Sequence, residues 1–325
     1  MIITRIDCGM GNQMFAYSAG FVTAKRLNTE LLLDLYWYEK KQSRKDPRPY
    51  SLGCFPKVQE RAASFSEIYK LFPFQAVINH IYSRKNIFYS LGRHSIRQIM
   101  NLLMLLPEGR ARRKFLNSDP LLLPIPASRV FTQEGSRYSG KFKLIPDDTY
   151  IWGGFQSEKF FAGYEHLIRE QFTFAPEYFR NSQCEKIRSC NSVAIHVRLG
   201  DKLRHGEVDF TLEYIRHSLE RIFTLTEKPE FFVFSDNIKI CKDKLPEIYD
   251  AKYNFIEGNS PSQDMALITQ CRHVITGPST FSWWGAWLND NPAKIVIAPA
   301  QKLWCSDREL ECYKELYPSE WLVID

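Results

Sequence analysis

The sequence predicts an α/β protein built from two halves, each an alternation of strand and helix that implies a parallel sheet. Three observations carry this expectation. The chain opens on strand, glycine turn, helix and strand, a βαβ unit starting at residue 2. The second half repeats strand and helix with short gaps. At 325 residues the chain is about twice the usual domain length.

Taken in order, residues 2–6 are an apolar strand, Gly9 and Gly11 make a turn, a helix runs over about residues 12–27, and residues 30–35 form the second strand of a Rossmann-like half. Residues 43–57 hold Pro47, Pro49, Pro56 and Gly53 and read as a loop. Residues 60–118 keep helical spacing, as in Ile68, Leu71 and Phe72 and then Ile96, Ile99, Leu102 and Leu103, which makes them a helical insertion in the first half. Strands follow at 129–132 and 149–152. Glycines interrupt the pattern between residues 153 and 174, and the expected domains are 1–155 and 156–325. The second half then places strands at 192–197, 230–235, 253–256, 273–276 and 294–298. A helix opening at Thr211, its N-cap, buries Leu212, Ile215, Leu219 and Ile222.

Composition narrows the function classes. Hydrophobic residues make up 44% of the chain and aromatics 14%, enough for sizeable cores. No stretch reaches the roughly 20 apolar residues of a membrane helix. Met1 is followed at once by the strand-like IITRID, with no secretory leader pattern, so a cytoplasmic location is expected. Eight cysteines occur without any CxxC pair, which points to reduced thiols rather than a zinc cluster or a redox dithiol. The net charge of +6 is mild, but residues 84–114 carry Arg84, Lys85, Arg93, Arg97, Arg110, Arg112, Arg113 and Lys114 against the single acid Glu108. Interleaved with Leu and Ile, they have the chemistry to meet nucleic acid or, peripherally, an anionic surface such as the inner membrane. A solvated helical face is the preferred reading, and no nucleic-acid partner is expected.

Several motifs end at strand-to-helix turns, where α/β sheets bind ligands. In SVAIHVRLGDK the apolar strand stops at His196, Arg198, Asp201 and Lys202. Arg198 and Lys202 suit a diphosphate, with Asp201 to orient them and His196 to donate to the same anion or join the chemistry. Read alone, the cluster is also an ordinary surface ion pair. FSDN, with Ser235, Asp236 and Asn237, ends the next strand and alone reads as a helix cap. GPSTFSWWGAWL turns at Gly277 and Pro278 and presents Ser279, Thr280 and Ser282 at a helix start, with Trp283, Trp284 and Trp287 as core. GMGNQMF begins a dinucleotide fingerprint whose third glycine is replaced by Met14, although Asp34 stands where a ribose-binding acid would. No two aspartates are separated by a single residue, and Walker, HExxH and GxSxG patterns are missing. What remains is a basic anion site with no metal and no cofactor.

Together, GMGNQMFAYSAG, YIWGGFQSEKFF, HVRLGD, FSDN and DMALITQCRHVITGPSTFSWWGAWL resemble the α1,2-fucosyltransferases, in the family's order and across nearly the whole chain. The resemblance implies a GT-B arrangement of two Rossmann-like domains facing a cleft, GDP-fucose as donor, a galactoside-terminated glycan as acceptor, and metal-independent inversion at the anomeric carbon. It also implies a bacterial type acting on surface-polysaccharide precursors. Carried over by position, Arg198 holds the diphosphate with His196 and Asp201 in support. Ser235, Asp236, Asn237, Ser279, Thr280 and Phe281 join it on the donor, and Gly9, Gly11, Asn12 and Gln13 lie on the acceptor side. The family's second arginine is Leu199 here, which makes Lys202 the substitute cation. Candidates for a general base are His196, Asp201, Glu158 and Asp7. Two rival readings are an NAD-dependent oxidoreductase, resting on the first βαβ unit and Asp34, and a noncatalytic carbohydrate or sugar-nucleotide binding protein.

Overall fold

The structure, a computed structural model, describes residues 1–39, 48–72, 129–133, 136–199, 208–249, 251–304, 310–311 and 313–325. The chain divides into two compact units. One comprises Met1–Tyr50, Gln59–Phe155 and Lys159–Tyr164, and the other Ser51–Val58, Gln156–Glu158 and Glu165–Asp325. Each is an α/β unit around one parallel sheet, as the alternation predicts.

In the first unit the elements are β1 (Ile2–Arg5), α1 (Met10–Leu27), β2 (Leu31–Asp34), α2 (Tyr36–Glu39), α3 (Phe65–Leu71), β3 (Val130–Gln133) and β4 (Thr149–Gly153). The sheet order is β2-β1-β4-β3 and every pairing is parallel. α1 is apolar nearly all round and is buried from Met10 to Ala24 except at half-buried Asn12. It lies tight on β1: Thr4 Oγ1 donates to the Ala16 carbonyl at 3.0 Å, and a Cβ on Gly20 would come within 2.7 Å of Thr4 Cγ2. Asn28 ends the helix in the left-handed region, φ 50°. α3 begins with a capping box in which Ser64 and Glu67 serve each other's backbone N–H. It bears out helical spacing at Ile68 and Leu71, whereas the rest of the expected insertion, from residue 73, and the basic stretch 84–114 lie outside the described residues.

Asp34 is not poised for a ribose. It is 2% exposed, accepts from Tyr150 Oη at 2.7 Å through Oδ2 and from the Tyr36 amide at 3.0 Å through Oδ1. Its position at the end of β2 was legible, but its partner is 116 residues away. Tyr150→Phe leaves a buried carboxylate oxygen without that donor, so denaturant unfolding should show a loss of about 1–3 kcal/mol. An unchanged unfolding midpoint would mean that the bond contributes nothing.

The second unit contains α4 (Glu165–Gln171), α5 (Ser182–Ser189), β5 (Ser192–Val197), α6 (Val208–Leu225), β6 (Glu230–Ser235), α7 (Ile238–Lys244), β7 (Lys252–Phe255), α8 (Pro261–Gln270), β8 (His273–Ile275), α9 (Thr280–Leu288), β9 (Val296–Pro299) and β10 (Leu322–Ile324). Its all-parallel sheet has the order β10-β9-β8-β5-β6-β7. The chain adds strands on one side of β5 as far as β7, then crosses back and builds outward from β8. The switch point between β5 and β8 is where open α/β sheets leave a crevice at their carboxyl ends.

Side chains alternate along β5, so Val193, Ile195 and Val197, continued by Leu199, form one face and pack on Tyr214, Ile215, Leu219 and Ile222 of α6. α6 starts at Val208, so Thr211 lies inside the helix rather than capping it; a hydroxyl residue one turn into a helix carries the same sequence signal as a cap. Leu212 is only half-buried. β10 was not expected, because three residues become a strand only through pairing with β9. The described part of 43–57 is irregular except for a single turn at Leu52–Cys54, and Phe55 packs on Phe172 and Phe174. Trp283, Trp284 and Trp287 are core as predicted, at 0%, 0% and 4% exposure. Among the described residues the cysteines are free thiols, and no helix is long and apolar enough to cross a membrane.

Candidate functional site

The carboxyl ends of β6, β5 and β8 lie side by side, in that order, and bring together most of the donor-side residues that the sequence singled out. Register pairs His196 with Phe234 and Val197 with Ser235. On the other side Ile195 pairs with Ile275, which sets Gly277 against the end of β5. The approach there is too close for a side chain: a Cβ on Gly277 would lie 2.6 Å from the His196 carbonyl oxygen and 3.2 Å from His196 Nδ1. Tyr214 Oη fixes the same region from below, donating to the Thr276 carbonyl at 2.8 Å.

Beyond Gly277 the chain enters α9, capped by Ser279, whose Oγ accepts from the Phe281 amide at 3.3 Å. With no acidic residue in its first turn, this helix end favours an anion. Thr280 and Phe281 are half-buried there, and the Phe281 ring stands 5.3 Å from the His196 ring at 35°. Arg198, also half-buried, follows His196 on the same face of the strand. Asp201 and Lys202 lie outside the described residues.

His196 is neutral at physiological pH in this environment. Burial pushes its pKa down to about 4; Asp236 opposes the shift and Arg198 adds to it. Its Nδ1 is shielded from solvent and has no hydrogen-bond partner, although the residue as a whole is only half-buried. The folded state therefore resists protonation that the unfolded chain accepts from about pH 6.5, so stability falls as pH drops from about 6.5 to about 4 and levels below that. Replacing His196 with Asn should flatten the melting temperature over this window. A wild-type slope retained in the variant would rule His196 out as its source.

The FSDN residues are engaged locally. Ser235 Oγ accepts from the Asn237 amide at 3.0 Å, and Asn237 Oδ1 caps α7 by accepting from Ile240 at 3.3 Å. Exposed Asp236 accepts from the Leu199 amide at 2.8 Å through Oδ1. Leu199, where the resembled family has its second arginine, is 1% exposed and belongs to the core beneath α6. It faces away from the site.

In the first unit the turn after β1 is equally fixed. Cys8 sits in the left-handed region at φ 61°, and its carbonyl accepts from Gln13 Nε2 and Tyr38 Oη, both at 3.1 Å. Gln13 also donates to the Pro49 carbonyl at 2.9 Å, so this buried amide ties two loops together. Gly9 is the N-cap of α1, with no side-chain cap hydrogen bond; Gly11 is buried and Asn12 half-buried. Asp7 is paired with Arg5 Nε at 3.1 Å.

Glu158 is removed from the base candidates. Its carboxylate accepts from Trp287 Nε1 at 3.2 Å, in the last turn of α9, while Ser279 caps the first turn roughly 12 Å away along the axis. A cavity of about 480 Å³ lined by Arg169, Asn289, Lys294, Glu320 and Trp321 opens at this far end. Lys294 Nζ is used there to close α9, donating to the carbonyls of Ala286 and Asn289 at 2.9 and 2.6 Å. One perturbed group stands in the sequence only as the first letter of the DMALITQ motif, with no role given to it. Asp264, in the first turn of α8, is raised to about 6 by burial and accepts from Asn259 Nδ2 at 3.1 Å. The sequence signal was a lone acid three residues after the proline of a Ser-Pro helix start, which is common at any helix N-terminus.

Residues 133–325 match the model of a family described as Glycosyl transferase family 11. Alpha-1,2-colitosyltransferase of Escherichia coli is 27% identical, with 100% of this chain and 99% of that protein aligned. O-antigen biosynthesis glycosyltransferase WbnK of Escherichia coli is 23% identical over 90% of this chain and 91% of its own. Galactoside alpha-(1,2)-fucosyltransferase 2 of Pongo pygmaeus is 29% identical over 52% and 54%. The crystal structure of fucosyltransferase NodZ from Bradyrhizobium superposes with a TM-score of 0.47 at 16% identity, covering 87% of this chain and 91% of that one.

Proposed function

The chain belongs to glycosyl transferase family 11, and we propose that it transfers L-fucose from GDP-fucose to the 2-hydroxyl of a terminal galactoside, with inversion and without a metal ion. The observation that carries the reading is the convergence of Arg198, His196 and the N-terminus of α9 at the switch point of the second sheet.

The acceptor hydroxyl attacks the anomeric carbon from the face opposite the diphosphate. The bond from that carbon to the phosphate oxygen breaks, its electron pair leaves with GDP, and the hydroxyl proton is released. Negative charge therefore grows on the diphosphate, and a guanidinium and helix N–H groups already in place stabilise it more in the transition state than in the bound donor. These groups supply the role that a metal ion fills where a DxD motif is present. The lowered pKa of His196 keeps it uncharged before donor binding, with Nδ1 able to accept a proton; an arriving diphosphate favours its protonated form. His196, Asp201 and Asp7 remain as candidates for the base.

A second reading is colitosyl transfer, favoured by the end-to-end match to the colitosyltransferase. The test is transfer to a panel of galactosides in the presence of EDTA, with GDP-fucose, GDP-colitose, GDP-mannose and UDP-galactose as donors. A fucosylated product with a 1,2 linkage supports the proposal, and a colitosylated product alone selects the second reading. Absence of product and of GDP binding, combined with stabilisation by NADH, would overturn both in favour of an oxidoreductase.

A further inference from the structure

The turn that carries Arg198 is held at two points. The side chain of the next residue, Leu199, is locked in the α6 core at 1% exposure, and its amide donates to Asp236 Oδ1 at 2.8 Å. Asp236 is itself fixed from the residues around it. Ser235 accepts from the Asn237 amide and Asn237 caps α7, so the loop that presents the carboxylate is braced immediately before and after it. The β5–β6 register ends with Val197 opposite Ser235, so beyond that pair no ladder bond is available to aim the strand end. The carboxylate takes over at the next step.

We infer that Asp236 is a positioning residue that aims Arg198 through the Leu199 backbone amide, rather than a group that contacts the donor. The inference rests on the proposed transferase function. Strand alternation puts Arg198 and Leu199 on opposite faces, so fixing residue 199 by amide and side chain fixes the direction in which Arg198 leaves the strand. A guanidinium that must meet a diphosphate with hydrogen-bond geometry tolerates little drift, and a misplacement of about 1 Å costs on the order of 10²-fold in rate. Asp236 is exposed, so its replacement leaves the core intact.

Two variants separate acceptor geometry from charge. Asp236→Ala removes the acceptor and should lower kcat/KM by about 10²-fold. Asp236→Asn keeps an oxygen at the same place and should lose only about fivefold, the difference between a charged and a neutral acceptor. In ligand-free protein, hydrogen exchange at the Leu199 amide should speed up in the alanine variant and stay slow in the asparagine variant. The double variant Arg198→Ala/Asp236→Ala should be no worse than Arg198→Ala alone, because one residue acts through the other. Unchanged Leu199 exchange in Asp236→Ala overturns the inference whatever the donor assay reports. Equal losses in both single variants, or fully additive losses in the double variant, overturn it as well by indicating direct contact of the charge with substrate. A wild-type protein that neither binds GDP nor transfers a sugar overturns the transferase reading, while the exchange result still judges the backbone contact.

Discussion

Replacing Arg198 with alanine is expected to lower kcat for sugar transfer by about 10²- to 10³-fold, the usual cost of removing one preorganised donor from a site where negative charge develops. The residue is half-buried at a strand end and outside the core clusters, so the melting temperature should stay within about 2 °C of wild type. Lysine at this position keeps the charge but loses the planar fork that grips two phosphate oxygens together, and should recover only part of the rate. Parallel measurement of GDP affinity divides the effect. A loss confined to KM would indicate ground-state binding, whereas a fall in kcat indicates charge stabilised in the transition state. Full activity in Arg198→Ala would remove the central cation from the mechanism.

Gly277→Ala should produce the second large effect, this time on architecture and site together. A methyl group would stand 2.6 Å from the His196 carbonyl oxygen, which is backbone at the end of a buried strand, so it cannot yield as a flexible side chain would. Either β8 and the start of α9 move away from β5, or the end of β5 distorts; both displace the helix N-terminus from Arg198. Overpacking of this kind costs about 1–3 kcal/mol, and with it the GDP affinity should fall markedly. Calorimetric melting and a GDP titration on the same sample test this. Wild-type values in both would show that the contact relaxes without consequence.

How much was legible depended on whether the deciding contact was local. β5 and β6 emerge with the boundaries that their apolar runs gave, because strands buried on both faces leave an uninterrupted signature. The bounds of β7, β8 and β9 shift by one or two residues, where pairing rather than composition decides the ends. The site's raw materials were readable as polar residues stopped at strand ends. Their assignments were not: Asp34 answers to Tyr150, Asp236 to the Leu199 amide, and Gln13 to Cys8 and Pro49. The bonds to Tyr150, Leu199 and Pro49 join segments far apart in sequence, whose adjacency exists only after the chain has folded, while the Cys8 contact is made within one turn. Gly277 shows the same limit in steric form, since a glycine after a strand reads as a turn and its real constraint is the neighbouring strand. Leu199 was visible as a departure from a familiar pattern, but only the α6 core explains why it is a leucine.

The alternation along the end of β5 has a consequence for how this protein can vary. Ile195, Val197 and Leu199 belong to the fold, while His196 and Arg198 stand toward the candidate site, so abundance and turnover are written in alternate letters of one short segment. Lineages can therefore retune chemistry at one set of positions without first acquiring a stability reserve at the other, and a missing cation cannot be regained at 199 without opening the hydrophobic layer it now closes.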